Sequence, residues 1–165
     1  MIYRKISYMK RHIGKISLTI TLLWVMVIFS FSLQPADTSS QLSLGVGHWL
    51  IELLPSAISD KLLSMPQTQL ELFHTLLRKA GHFSEYFILG MLSMLTVLQS
   101  EFCHKKWIGL GFSLLVASVD ETIQLFVSGR SGQVSDVVLD FVGALCGIII
   151  LIGVRKLYGS EGSRS

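Results

Sequence analysis

KAGHFSEYFILGMLSMLTVLQ, from Lys79 to Gln99, is apolar enough from Ala80 onward to cross a bilayer, yet its first turns carry Lys79, His82, Glu85 and Tyr86. At about 100° per residue, Lys79, His82, Tyr86 and Gly90 fall on one helical stripe, with Glu85 beside it. An ionisable side chain at mid-bilayer costs about 2.5 to 3.5 kcal/mol on the lenient insertion scale, so this stripe is expected to face a protein interior or a wet cavity. Two later apolar runs repeat the pattern. In residues 107–127, Ser113, Ala117, Asp120 and Gln124 share a face with Glu121 at its edge. In residues 134–154, Asp136, Asp140, Gly143 and Gly147 form a stripe whose lower half is a GxxxG pair, where small residues let a neighbouring helix approach closely. A fourth run, residues 16–33, is free of charge.

These four runs imply an all-α fold, an integral membrane four-helix bundle with helices at about 16–33, 80–99, 107–127 and 134–154. Composition agrees: of 165 residues, half are hydrophobic and 15% charged, too apolar for an ordinary soluble domain of this size. Pro35, Pro55 and Pro66 all fall between the first two runs, so no span contains a breaker. In that connection LSLGVGHWLIELL and PQTQLELFHTLLR have helical spacing and read as short helices in the outer interface, anchored by Trp49 and Phe73. Pro66 suits the opening turn of the second, and with no breaker after it one helix is expected from about Gln67 to Gln99. The chain reads as a single domain over residues 1–165, with a disordered tail at 159–165.

Flanking charge sets the orientation under the positive-inside rule. Arg4, Lys5, Lys10, Arg11 and Lys15 precede the first run, Lys105 and Lys106 follow the second, and Arg155, Lys156 and Arg164 follow the fourth. The connection after the first run carries Asp37, Glu52, Asp60 and Glu71. Both termini are therefore expected in the cytoplasm, and the first helix is expected to be retained, since SFSLQPADTSS lacks a small-residue cleavage pattern. Arg78, Lys79 and Arg130 then stand on the outer side against the rule, which marks them as engaged by partners. Cys103 and Cys146 have neither the number nor the placement for a disulfide framework or a zinc site. No phosphate loop, HExxH or GxSxG pattern occurs, and no nucleic-acid surface is indicated: the basic N-terminus fits retention and anionic lipid.

With that orientation His82, Tyr86, Asp120, Gln124, Asp136 and Asp140 all lie within about 15 Å of the outer surface at the helical rise, and Arg130 caps them from a short loop. Lys79, His82 and Arg130 are suited to phosphate or carboxylate, arginine by its fork and lysine as a point charge. Tyr86, Gln124 and Asp140 complete the ligand-binding set. Asp120, Glu121, Asp136 and Asp140 outnumber the cations, so at least one is expected to be held neutral or to take a divalent metal, the one cofactor the residues leave open. His82, Asp120, Glu121 and Asp136 are the candidate acid–base residues. The competing reading is that the charges pair to fix helix register, in which case exchanging Lys79 and Asp120 should partly restore stability. A transporter fits least, because four runs show neither inverted repeats nor interrupted helices. Whether a reaction is catalysed, and in what oligomeric state, is left open.

The order K-x-x-H-F-x-E-Y-x-x-L-G, D-E-x-x-Q-x-F, G-R and two aspartate positions before a glycine-rich helix resembles the VanZ-like membrane proteins, as does WVMVIFSFSLQP at Trp24 to Pro35. The resemblance covers about residues 22–150 and implies a multi-pass protein of the bacterial cell membrane. It carries across Lys79, His82, Glu85, Tyr86, Gly90, Asp120, Glu121, Gln124, Arg130, Asp136 and Gly143 as signature positions. Asp140 stands where such proteins more often have asparagine, and Ser128 where a proline is common, a change expected to loosen the outer turn. The naming member is associated with teicoplanin resistance, which fits an outward-facing site; the cations of that site make an anionic lipid-linked or cell-wall-related ligand the expectation.

Overall fold

A computed structural model describes residues 2–63, 66–100 and 107–161, and among them the chain forms six helices and no strand. They are α1 (Ile2–Ser32), α2 (Ala36–Glu52), α3 (Ser56–Leu63), α4 (Gln67–Gln99), α5 (Trp107–Gln124) and α6 (Val134–Glu161). The Lys105 and Lys106 flank, Cys103 and Arg164 lie outside the described residues.

Three helices are long and apolar enough to cross a membrane: α1 over His12–Ser32, α4, and α6 over Val134–Leu157. The expected fourth span, α5, does not reach that standard. It stops at Gln124 rather than running to 127, and Asp120, Glu121 and Gln124 dilute its last turns. Leu125 to Val127 instead close in tight turns, with Phe126 N donating to Ile123 O and Val127 N to Gln124 O, before Gly129 takes a positive φ of 74°. The hydrophobicity of Leu125, Phe126 and Val127 makes the sequence look like span for one turn more than the helix provides.

Helix α4 is continuous from Gln67, as the lack of a breaker predicts. Its 33 residues make a rod of about 50 Å at about 1.5 Å per residue, longer than the roughly 30 Å of hydrocarbon. Phe73 therefore belongs to the long helix and not to a separate short one. The LSLGVGHWLIELL stretch is helical in α2 as far as Glu52, and α2 lies on the first half of α4, where Gly47 meets Phe73, His74 and Leu77. Helix α1 begins at Ile2, well before the apolar run, and α6 continues to Glu161. Residues 159–161, expected to be disordered, are thus helical, and 162–165 are outside the described residues.

Helix α4 is the hub, packed on α6, α1 and α5, while α5 also touches α1 and α6. Against α6 the contact is backbone to backbone. A Cβ on Gly143 would strike the Phe83 carbonyl at 2.6 Å, one on Gly147 would overlap the Phe87 carbonyl, and one on Gly90 would overlap Ala144. The GxxxG pair thus does what its spacing implies, and it seats α6 parallel to α4. Helix α1 runs antiparallel to α4: Ser17 and Thr21 hydroxyls meet Thr96 at 2.8 and 2.9 Å near one end, and Trp24 Nε1 donates to Glu85 O at 3.0 Å nearer the other. The inner packing is made by Ile28, Tyr86, Leu89, Val116, Ala117 and Ala144. Outward, Leu23, Met26, Leu115 and Ile149 are exposed, as helices solvated by lipid require.

Candidate functional site

The polar stripes of α4, α5 and α6 converge at one end of the packed helices. Asp120 and Asp140 are fully buried, and Glu121 and Gln124 are 5% exposed. Asp120, Glu121 and Gln124 are fixed by their neighbours. Ser32, in the last turn of α1, donates to Asp120 Oδ1. Gln124 Nε2 reaches Asp120 Oδ2 at 3.3 Å and Glu121 Oε1 at 3.2 Å. The backbone N–H of Gln133, in the loop before α6, donates to Glu121 Oε2 at 2.9 Å. Gly132 lets that loop press close, since a Cβ there would collide with the Glu121 carbonyl. Tyr86 is fully buried and turned towards Asp120, but its hydroxyl falls short of hydrogen-bond geometry.

His82 and Asp140 stand together without a hydrogen bond. Nδ1 lies 3.8 Å from Asp140 Oδ1, beyond hydrogen-bond reach, and neither Nδ1 nor either Asp140 oxygen has a partner. Among the described residues no lysine or arginine comes within 4 Å of Asp120, Glu121 or Asp140. Lys79 is instead paired with Asp136 at 2.5 Å, at the entrance to α6. The Lys79–Asp120 pairing considered in the sequence is therefore not the one formed: Asp120 sits deeper, where Ser32 and Gln124 hold it.

Arg130 closes the site from the α5–α6 loop. Its NH2 group donates to Ser39 Oγ in α2 at 2.8 Å, and Nε is buried without a partner. Burial, and then the like charge of Arg78, lower the Arg130 pKa, against the pull of Asp120, Glu121 and Glu85. The guanidinium nevertheless stays charged, as arginine does throughout proteins. The backbone carbonyl of Ser128 accepts from Ala36 N at 3.2 Å, which ties the turn to the start of α2.

A cavity of about 370 Å³ opens beside this cluster between α1, α2 and α4. Phe31, Leu42, Val46 and Leu77 form an apolar wall, and Arg78, His82, Glu85 and Arg130 a polar one. Of the residues singled out in the sequence, Lys79, His82, Tyr86, Asp120, Glu121, Gln124, Arg130, Asp136 and Asp140 all occupy this end of the molecule. Asp136 stands apart from the buried acids as the partner of Lys79. Ser32, Ser39 and the Gln133 amide were not foreseen. A serine in an apolar run and a backbone N–H carry no sequence signal, although Ser32 does lie within WVMVIFSFSLQP.

A family model described as VanZ/LLP1 matches residues 17–155, from the middle of α1 to the last turns of α6. The chain belongs to the VanZ/LLP1 family. No curated protein and no solved structure gives a match. The VanZ/LLP1 match covers every residue of the polar site together with most of the three apolar spans, and it makes this a membrane protein of that family.

Proposed function

We propose that the protein crosses the bacterial membrane four times, through α1, α4, α5 and α6, with both termini cytoplasmic. We propose further that its cavity faces outward to bind the anionic head of a lipid-linked or cell-wall-related ligand. The basic flanks support the orientation. The observation that carries the binding reading is Arg130, whose buried Nε has no partner and whose guanidinium shares the cavity with Arg78 and His82 opposite an apolar wall. An arginine fork suits a phosphate or carboxylate, and the apolar wall suits the first methylenes of a lipid tail. The α5 end, with its buried acids satisfied by α1 and the α5–α6 loop, is compatible with membrane depth because the polar groups point inward. His82 on the cavity wall, with Asp120 and Glu121 beyond it, are the candidates for acid–base work; Asp136 is less suited, being held by Lys79.

Identification of lipids and metabolites that co-purify with the protein tests this reading. The wild type is expected to carry a phosphate- or carboxylate-bearing molecule. Arg130→Ala should lose it at least about tenfold, and Arg130→Lys should lose most of it, because an ammonium cannot supply the fork. Teicoplanin susceptibility of cells expressing the two variants is expected to follow the binding. An identical complement in wild type and Arg130→Ala would count against the reading.

The Lys79–Asp136 pair favours a second role for part of the charge, as glue between α4 and α6. Its side chains are 37% and 15% exposed, so either single charge reversal is expected to cost about 1 kcal/mol. Combining Lys79→Asp with Asp136→Lys should recover over half of that loss in a thermal-unfolding double-mutant cycle.

A further inference from the structure

We infer that His82, Asp120, Glu121 and Asp140 form a binding site for one divalent metal ion, of the hardness of Mn²⁺. One donor atom from each residue lies within 4.8 Å of all the others. Donors bonded to one ion at about 2.2 Å stand roughly 3 to 4.4 Å apart, so the cluster needs to contract only slightly. The 3.8 Å between His82 Nδ1 and Asp140 Oδ1 is too long for a hydrogen bond and right for two ligands of a common ion.

A cluster of acids alone would not suffice; the second observation is Asp140. Its carboxylate is fully buried, both oxygens lack a partner, and it points at the other three donors. A buried carboxylate without hydrogen bonds or a counter-charge is costly, and no arginine or lysine among the described residues is close enough to compensate it. The remaining donors are arranged as ligands usually are. Ser32 and Gln124 orient Asp120, and Gln124 and the Gln133 amide orient Glu121. Each of those oxygens keeps a second lone pair for an ion, and such outer partners normally hold metal ligands in place. Three carboxylates favour Mg²⁺, Ca²⁺ or Mn²⁺, and one imidazole shifts the preference towards transition metals, which together point to Mn²⁺.

The site does not depend on the anionic-ligand reading, since a metal can bind while the cavity is empty. It does adjoin the cavity, because His82 belongs to both. A bound dication would add a positive charge behind Arg130 and Arg78, where it would draw an anionic head inward.

The test uses the full-length protein in detergent, stripped with a chelator and titrated with MnCl₂, with bound metal counted by mass spectrometry and observed by electron paramagnetic resonance. One Mn²⁺ per chain is expected, with nitrogen coupling from His82. Asp140→Asn should weaken binding at least about tenfold, and His82→Gln should abolish the nitrogen coupling, while Asp37→Asn, at an exposed carboxylate of α2, binds as wild type does. Wild-type protein that keeps its helical circular dichroism and elution volume yet binds no Mn²⁺ overturns the inference, as does unchanged binding by Asp140→Asn. The wild-type measurement decides even if a variant fails to fold. Loss of metal with retained anionic ligand, or the reverse, separates this inference from the function proposed above.

Discussion

Gly147→Leu is expected to force α6 away from α4 and to cost about 3 kcal/mol or more, the largest effect of any single substitution considered. A Cβ at this position already overlaps the Phe87 carbonyl and lies 3.2 Å from Met91 N, so the obstruction is backbone and not a movable side-chain tip. Overpacking a well-filled interior typically costs about 1 to 3 kcal/mol, and a helix seam that cannot rearrange locally belongs at the upper limit or beyond. Lipid gives no hydrophobic drive to press the helices back together, so close packing along Gly90, Gly143 and Gly147 carries the association. Gly153→Leu is the control: nothing lies within 4 Å of a Cβ there, and it should change stability by less than about 0.5 kcal/mol. Thermal unfolding in detergent, followed by circular dichroism, reads both. Because α4 carries His82 and α6 carries Asp140, Gly147→Leu should also remove ligand binding, whereas Gly153→Leu should not.

The second large effect is expected at Asp120, where Ala and Asn should part company. Asp120→Ala leaves the Ser32 hydroxyl and one Gln124 contact without their acceptor in a buried site. Unsatisfied buried groups cost about 1 to 3 kcal/mol each, and removing one of three crowded carboxylates returns part of that by relieving repulsion. A net loss of about 2 kcal/mol is expected. Asp120→Asn keeps the shape and an acceptor for Ser32, so its stability should stay within about 1 kcal/mol of wild type. Its Mn²⁺ binding should nevertheless fall at least about tenfold, because the negative charge is gone. A purely structural Asp120 would leave Asp120→Asn with the wild-type phenotype.

The stripes were legible because helical spacing and lipid exclusion act on the same residues. Any helix through Lys79, His82, Tyr86 and Gly90 must present them together, and the absence of proline after Pro66 predicts the unbroken run to Gln99. The GxxxG spacing likewise announced a close helix contact for α6, though not that α4 would be the partner. Pairing was harder to read. Lys79 was free to meet Asp120 or Asp136, and only the register set by the glycine seam brings it to Asp136. The end of α5 was misjudged because Leu125, Phe126 and Val127 look like more span, while the turn that stops it is made by backbone hydrogen bonds and Gly129. The Gln133 amide and the Ser32 hydroxyl complete the site through contacts that depend on loop and helix placement, which residue type alone does not encode.

In the function proposed above, the acidic cluster and Arg130 form one site open to the outside. The most direct measurement is thiol accessibility in intact cells, using a Cys103→Ser, Cys146→Ser background into which Ser128→Cys or Arg155→Cys is introduced. Ser128 is exposed in the α5–α6 loop beside Arg130, and Arg155 is exposed near the far end of α6. A membrane-impermeant maleimide is expected to label position 128 in intact cells and position 155 only after permeabilisation. Labelling of position 155 from outside, with position 128 protected until the membrane is opened, would place the site on the cytoplasmic side and contradict the claim.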